Sequence, residues 1–278
     1  MPKERLHLLL ADQSLNLLIS SLSSSPLREG DKFAYFLGAI SPDALFYDLP
    51  SFHLSSSGAA FHRLEGQSCL PFLASVLRER DKDLSPEATA WIFGVASHFL
   101  ADGIWHPIIE KLCDPETVLC KGFEFSTRQC HHWLESELEA YWLSRIGPAD
   151  GYLPVLKQIT GKSKTRENCI RCFRMILIQL GLEEIPDEKK LGRCLFWQAL
   201  LLRQFSLASW GRWRKLFLEF GPTRYLGALI VPRGANSTPL EKFRSDPAEP
   251  FEVLCDGKFM ARSVITMAQH QRSLLRKL

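Results

Sequence analysis

The stretch FGVASHFLADGIWHPII, residues 93–109, places two histidines and an aspartate at intervals of four in an otherwise apolar sequence. Side chains four positions apart lie on one face of a helix. His98 and Asp102 are therefore predicted to stand side by side. Because a buried charge is costly unless it is paired or bound to a cation, this spacing indicates a metal site. Pro107 disfavours helical backbone at His106, so we expect the helix to end there and to turn His106 toward a neighbouring metal.

A second pair of this kind lies downstream in QCHHWLESELEAYWL, residues 129–143, where His131 and Glu135 are again four apart. The sequence before the first motif adds three more candidate ligands: His7, Asp43 and His62. Seven of the eight histidines fall within the first 132 residues. Structural use of histidine alone does not explain this asymmetry, so the metal chemistry is predicted to lie in the N-terminal half.

Composition restricts the class of protein. The chain has 278 residues, of which 46% are hydrophobic and 23% are charged, as is normal for a globular core. A net charge of +3 is too small to argue for nucleic acid or an acidic substrate. Eight cysteines in a chain of this length, without a secretory signal, indicate thiols rather than disulfides. The pair Cys169 and Cys172 is a lone CxxC motif and is weak evidence for metal or redox work.

The N-terminal residues do not have the pattern of a targeting signal. Asp12, Gln13 and Asn16 interrupt the apolar run, and helical periodicity fits it better than a continuous apolar segment. No stretch reaches the roughly 18 to 20 apolar residues that a membrane-spanning helix needs. We therefore expect a protein that stays in the cytoplasm.

Periodicity predicts an all-α fold, a multi-helix bundle with a metal cluster between helices of its N-terminal half. The predicted helices cover residues 4–22, 61–80, 86–105, 128–146, 166–181, 188–206, 208–219 and 258–277. Ser85 and Pro86 give one of these helices a typical start. Strand signals are nearly absent, and the best candidate is 227–231. We expect a metal-binding helical domain at 1–150 and a helical extension at 151–278 that packs on it.

The motifs resemble those of the zinc-dependent phospholipase C family. GVASHFLADGIWHPII resembles the signature helix of that family, and HHWLESELEAYWL resembles the H-x3-E/D helix that follows it there. FLGAISPDALFYD is similar to the family's Gly-x-x-x-Pro-Asp segment, and LHLLLADQSL to its first helix with an early histidine. These segments span roughly residues 5–145, and the second half of the chain carries no such resemblance.

The resemblance implies a helical bundle that binds two or three zinc ions. One ion would be held by Asp43, His62, His98 and Asp102. A second would be held by His106, His131 and Glu135. A third would take His7 and Asp102, with Asp102 shared. Secreted members complete the third site with the amine of the mature N-terminus, whereas this chain shows no signal, so we expect two ions and a third site that is vacant or closed by Met1 or Pro2.

Two candidate ligands have a competing histidine nearby. His53 could replace His62, because the register between the motifs is loose. His132 could replace its neighbour His131, and a His–Glu pair four apart also occurs on exposed helix faces. The sequence alone leaves both alternatives open.

The remaining candidates also have purely structural interpretations. His98 and Asp102 could form a buried hydrogen bond without a metal. Asp43 could cap a helix after the Ser-Pro pair, as aspartate often does. His7 on an apolar helix face could be a hydrogen-bonded core histidine.

The expected function is zinc-dependent hydrolysis of phosphate esters, most simply by a phospholipase C-like phosphodiesterase that uses a metal-bound hydroxide. Asp43 is the candidate general base. A phosphate ester is the expected substrate, and phospholipid is one candidate. SWGRWRKLFLEF, residues 209–220, has an aromatic face with basic flanks, which could contact a membrane surface or could be a core-facing stripe with solvated charges. The alternatives are a zinc nuclease of single-stranded nucleic acid and a non-catalytic helical protein with a structural or degenerate metal site.

Overall fold

The computed structural model describes residues 4–20, 31–80, 84–116, 126–148, 150, 152–205, 217 and 253–276. Every regular element among these residues is helical, which confirms the predicted all-α class. The α-helices are α1 (Glu4–Ser20), α2 (Lys32–Ile40), α3 (Ser55–Phe61), α4 (Cys69–Arg80), α5 (Pro86–Leu112), α6 (Thr127–Ile146), α7 (Leu153–Thr160), α8 (Lys164–Gln179), α9 (Glu188–Phe205) and α10 (Gly257–Leu275). Three 3₁₀ segments add to them: Ser41–Tyr47 after α2, and His62–Leu64 and Gly66–Ser68 after α3. Among the described helices, none combines the length and the apolar character needed to cross a bilayer.

Two of the sequence predictions fall where the structure gives no description. The strand candidate at 227–231 lies outside the described residues, and so does the aromatic stretch 209–220 apart from Phe217. The helix predicted at 61–80 is interrupted, because Gly66, the first residue of the second 3₁₀ segment after α3, adopts a φ of +69°. A left-handed residue of this kind ends a helix, so α4 begins only at Cys69.

Contacts divide the chain into two compact units. The larger unit comprises His7–Gly103, Tyr152–Leu201 and Ser263–Leu278. The smaller unit comprises Met1–Leu6, Ile104–Gly151 and Leu202–Arg262. The predicted domain division after residue 150 stays a prediction.

The helix starts follow local sequence signals. The Ser85 hydroxyl accepts a hydrogen bond from the Ala88 backbone N–H at 3.2 Å, as expected for the start of α5. Helix α6 begins with a full capping box. The Ser126 hydroxyl accepts from the Gln129 N–H at 3.3 Å, and the Gln129 side chain accepts from the Ser126 N–H at 3.1 Å.

An aromatic core in the larger unit supports the histidines of that unit. Phe61 packs edge-on against Phe99 with ring centroids 5.1 Å apart, and it also contacts Phe173 at 5.7 Å. The Phe99 ring contacts the imidazoles of His62 and His98 at 5.9 and 5.5 Å. These close-packed rings restrict the rotamers that the two histidines can adopt.

Helices α2 and α5 approach each other at two glycines. A Cβ atom added to Gly38 would lie 2.0 Å from the Trp91 carbonyl oxygen, and one added to Gly94 would lie 2.0 Å from the Tyr35 carbonyl oxygen. Only glycine permits backbones to pack this closely. The contact places the carbonyl at the end of α2 within reach of His98, which follows Gly94 by one turn of α5.

Helix α5 does not end at Pro107, contrary to the sequence prediction, and continues to Leu112. A proline inside a helix costs about 3 kcal/mol, because it removes one hydrogen bond and crowds the preceding turn. Trp105, Ile109 and Leu112 are all at least 97% buried, and burying each such side chain contributes about 1.5–3 kcal/mol. The burial outweighs the cost of the proline, so His106 stays on the helix.

The described cysteines are free thiols, as the composition predicted. Cys169 and Cys172 are buried on α8. Burial raises the pKa of both thiols, to about 12 for Cys172. Protonated thiols are weak nucleophiles, so the raised pKa argues against redox work by this pair.

Candidate metal centre

Five of the predicted ligands meet inside the larger unit and are called cluster A below. They are His7 on α1, Asp43 in the 3₁₀ segment Ser41–Tyr47, His62 directly after α3, and His98 and Asp102 on α5. All are buried to at least 96% apart from His62. The His62 side chain keeps 16% of its surface exposed, and it gives the cluster its access to solvent.

The carboxylate of Asp102 contacts three histidines of cluster A. Its Oδ1 lies 3.2 Å from His7 Nε2, and its Oδ2 lies 3.1 Å from His98 Nε2 and 3.9 Å from His62 Nε2. The same Nε2 atom of His62 also lies 3.1 Å from Asp43 Oδ1. Both oxygens of Asp102 thus face imidazole nitrogens, and the sharing of this residue between two ions stays a prediction.

The imidazoles of His62 and His98 are oriented by backbone carbonyls. His98 Nδ1 lies 2.9 Å from the Ala39 oxygen, and His62 Nδ1 lies 2.9 Å from the Gly58 oxygen. Because a carbonyl can only accept, each Nδ1 must carry a proton, and in the neutral rings each Nε2 is a bare lone pair. Hydrogen bonds of this kind fix the tautomer of metal-binding histidines in other proteins.

The Nε2 lone pairs of cluster A are directed at one another and at two carboxylates. His62 Nε2 and His98 Nε2 lie only 3.3 Å apart. Neutral rings in this geometry would repel one another and the carboxylates of Asp43 and Asp102, and a shared cation removes the repulsion. The buried Nδ1 of His7 also finds no hydrogen-bond partner among the described residues. Imidazole nitrogens with carboxylate oxygens form a donor set that zinc prefers, so the residues fit the ion.

The electrostatics of the cluster reflect its buried charge. Burial alone lowers the pKa of His98, but Asp102 and Asp43 outweigh it and raise that pKa to about 9. For His7, burial and the neighbouring His98 lower the pKa. Although burial raises the pKa of Asp43, His98 and His62 prevail and lower it. Without a metal, one proton on His98 would therefore take the place of the cation at neutral pH.

Geometry groups cluster A somewhat differently from the sequence prediction. His62, His98 and Asp102 present ligand atoms within 4.8 Å of one another, as predicted for the first ion. His7 makes a second group of this size with Asp43 and His98. The predicted third site used His7 with Asp102. In the structure His7 contacts Asp102 as well, so the five side chains form one continuous set.

The other three predicted ligands meet inside the smaller unit and are called cluster B. They are His106 on α5, and His131 and Glu135 on α6. Glu135 Oε1 lies 2.7 Å from His131 Nε2 and 3.7 Å from His106 Nε2. Burial raises the pKa of Glu135, but His131 and His132 outweigh it and hold that pKa well below its usual range. Cluster B therefore combines a buried anion with two histidines whose side chains are 14% and 19% exposed.

The structure separates the competing histidines. His53 lies on an exposed loop and belongs to no ligand group among the described residues, whereas His62 is in cluster A. His132 is buried, and its Nδ1 lies 3.6 Å from Glu135 Oε2. It contacts the opposite oxygen of Glu135 from the one that His131 contacts. His131 therefore groups with His106 and Glu135, whereas His132 contacts Glu135 from outside that group. The choice of His131 as the ligand stays a prediction.

Asp43 does not act as a helix cap. Its carboxylate is fully buried and accepts no hydrogen bond from a backbone N–H of the described residues. The residues that fix its surroundings were not visible as a sequence motif. The Trp91 Nε1–H donates to the Ser41 hydroxyl at 3.0 Å, and that hydroxyl donates to the Leu37 carbonyl at 2.5 Å. Neither side chain has a spacing that distinguishes it from ordinary core residues.

Residues 6–179 match the family model of zinc-dependent phospholipase C. All eight members of clusters A and B fall within the matched region. No curated protein and no solved structure matches the chain at a significant level. Because the match covers well over half of the 278 residues, the chain belongs to the zinc-dependent phospholipase C family.

Proposed function

We propose that this protein hydrolyses the phosphodiester bond of a phospholipid, with zinc held by clusters A and B. The family supplies zinc dependence and a phospholipase C-type hydrolase. The proposal adds the residues, the general base and the bond that is cleaved.

One observation carries the proposal. The Nε2 atoms of His62 and His98 lie 3.3 Å apart while the Nδ1 atom of each ring faces a backbone carbonyl at 2.9 Å. A histidine that only hydrogen-bonds to an aspartate needs one proton between its Nε2 atom and the carboxylate. It does not need a second imidazole whose Nε2 atom points at the first. Two convergent lone pairs beside two buried carboxylates instead fit a cation.

Asp43 is proposed to accept the proton of the attacking water. His98 and His62 hold its pKa low, so the carboxylate is ionised at neutral pH, as a general base must be. The water oxygen bonds to phosphorus, and its proton passes to Asp43. The bond from phosphorus to the glycerol oxygen breaks, and the released alcohol takes a proton from solvent. Zinc, when bound, supplies Lewis acidity toward the phosphate oxygens and toward water.

The exposure of the histidines supports a catalytic rather than a closed structural site. His62 in cluster A, and His106 and His131 in cluster B, keep between 14% and 19% of their side chains exposed. Their carboxylate partners Asp102 and Glu135 are at least 99% buried. Each cluster thus has a buried anionic side and an accessible imidazole side, where a phosphate group can approach.

The test combines metal content with a substrate panel. The purified chain is assayed with short-chain phosphatidylcholine, a phosphomonoester and a single-stranded oligonucleotide. The variants are His62→Ala and, as a matched control, His53→Ala, whose exposed side chain belongs to neither cluster. We expect zinc-dependent release of a phosphomonoester from the phospholipid, a loss of at least about 100-fold in His62→Ala, and wild-type activity in His53→Ala.

Two outcomes contradict the proposal. Cleavage of the oligonucleotide with no cleavage of phospholipid assigns the site to a nuclease. Stoichiometric zinc with no hydrolysis of any of the three substrates assigns it a structural role.

A further inference from the structure

The 3₁₀ segment Ser41–Tyr47, which carries Asp43, is held at both ends by one helix. At its start, Gln198 on α9 donates from Nε2 to the Ile40 carbonyl at 2.8 Å. At its end, the Asp48 carboxylate faces two cations of the same helix. Helix α9 begins at Glu188, whereas the family match ends at residue 179.

The contact at the start of the segment is fully buried. Gln198 has no exposed surface. The last carbonyls of a helix lack partners within it, and at the end of α2 two neighbouring carbonyls are satisfied by side chains from elsewhere. The Ala39 oxygen faces His98 Nδ1, and the Ile40 oxygen accepts from Gln198. The amide of Gln198 thus acts on the peptide that directly follows the one orienting a cluster A histidine.

The contact at the end of the segment is electrostatic. Asp48 is fully buried and accepts from the Ser51 hydroxyl at 2.8 Å. Lys190 Nζ and Arg193 Nη2 each lie 3.4 Å from one of its oxygens. Opposite charges this close attract, although solvent weakens the attraction because the side chains of Lys190 and Arg193 are 26% and 54% exposed. The two cations therefore tie the end of the segment to α9.

We infer that α9 is a brace for the segment Ser41–Tyr47 and that Gln198 is a positioning residue for Asp43. The inference rests on the proposed function, because it assumes that Asp43 acts in cluster A. Asp43 lies three residues after Ile40 and five before Asp48, between the two anchored ends. Because both ends of the segment are held, the position of the Asp43 carboxylate relative to His62 and His98 is fixed. None of the side chains on α9 that hold the segment belongs to cluster A.

The test compares two buried glutamines. Gln198→Met removes the amide donor and keeps the length of the side chain. Gln271→Met is the matched control, because Gln271 is also fully buried and donates to a backbone carbonyl, that of Phe93, at 2.9 Å. Zinc affinity is measured by competition with a fluorescent chelator, and the kcat and KM for short-chain phosphatidylcholine are measured separately.

We expect Gln198→Met to bind zinc about tenfold more weakly and to lose kcat more than KM, as when an outer partner of a metal ligand is removed. Gln271→Met should lose folding stability but keep zinc affinity within about twofold. Equal zinc affinities in the two variants overturn the inference, whereas a wild-type chain that binds no zinc overturns the proposed function instead. If Gln198→Met does not fold, the test passes to Lys190→Gln combined with Arg193→Gln, both at partly exposed positions. Unchanged zinc affinity in that double variant also overturns the inference.

Discussion

His62 and His98 face each other through Nε2 atoms 3.3 Å apart, although they are 36 positions apart in the chain. The His62 ring is oriented by the carbonyl of Gly58 in the preceding helix α3, and the His98 ring by the carbonyl of Ala39 from α2. Two independent parts of the backbone therefore present lone pairs to one point. This convergence links the fold of the larger unit to zinc chemistry.

The metal-free protein is predicted to lose stability as pH rises from about 6.5 to about 9. The pKa of His98 is about 9 in the folded chain and 6.5 in the reference state, so the folded state binds this proton more tightly. Its contribution to stability is complete below pH 6.5 and is lost as pH passes through 9. Urea unfolding of the chelator-treated protein at several pH values measures the effect.

The control for this pH dependence is His98→Gln. The cysteine thiols of the unfolded chain also begin to lose their protons near the upper end of this pH range. They do so equally in the wild type and in His98→Gln. The difference between the two profiles therefore isolates His98. Parallel profiles would contradict the assignment of the raised pKa to this residue.

Asp102→Asn is predicted to weaken zinc binding more than any single histidine substitution. The Asp102 carboxylate contacts His7, His98 and His62, and the amide has neither its charge nor two equivalent acceptors. Substitution of a residue that only hydrogen-bonds to a metal ligand already lowers metal affinity about 10–100-fold. For Asp102→Asn we therefore expect zinc affinity to fall by more than about 100-fold. Chelator competition compares it with His62→Ala, and a smaller loss in Asp102→Asn would refute the sharing of this residue.

Gly94→Ala is predicted to destabilise the larger unit by about 3 kcal/mol, the upper end of the usual cost of overpacking. The new Cβ would lie 2.0 Å from the Tyr35 carbonyl oxygen, and a backbone atom cannot move aside as a side chain can. Separation of α2 from α5 also removes the Ala39 carbonyl from His98, so zinc affinity should fall with stability.

Gly257→Ala is the control for this substitution, because no atom of the described residues lies within 4 Å of the added Cβ. Its stability should change by less than about 1 kcal/mol. Chemical denaturation measures both variants. Equal stabilities would show that the close approach of α2 and α5 is not required.

His131→Ala and His132→Ala are predicted to differ in cluster B. His131 Nε2 lies 2.7 Å from Glu135 Oε1 and groups with His106 as a ligand, whereas His132 Nδ1 lies 3.6 Å from Glu135 Oε2. The first variant should lose one equivalent of zinc. The second should keep the ion with an affinity about tenfold lower. Elemental analysis after dialysis distinguishes them, and the reverse order would make His132 the ligand.

The helical class and the two histidine–carboxylate pairs were predictable because they depend on spacing, whereas His7, Asp43 and His62 followed only from their place in the sequence and the family resemblance. A carboxylate four residues after a histidine meets it on a helix face wherever the helix goes, as His98 with Asp102 and His131 with Glu135 show. The long unbroken α5 was not predicted. Local backbone preference at Pro107 argued for an end, and the burial of apolar side chains beyond it decided otherwise.

The arrangement around the clusters was not predictable, because it depends on backbone carbonyls and on contacts between distant segments. Gln198 acts on Ile40 from 158 positions away, and no spacing rule connects them. The sequence also gives no sign of the close approach of α2 and α5 at Gly38 and Gly94, since a glycine inside a helix indicates only a low helix propensity. The packing of α6 also decides that His131, and not its neighbour His132, groups with His106 and Glu135.

Zinc binding by cluster A is tested most directly by the zinc content of the purified chain and of His98→Ala after exhaustive dialysis. His270→Ala serves as the control, because His270 lies on α10 and belongs to neither cluster. We predict that the wild type and His270→Ala each retain at least one zinc ion per chain and that His98→Ala retains fewer. A wild-type chain without zinc, or equal zinc content in all three proteins, would contradict zinc binding through His98 in cluster A.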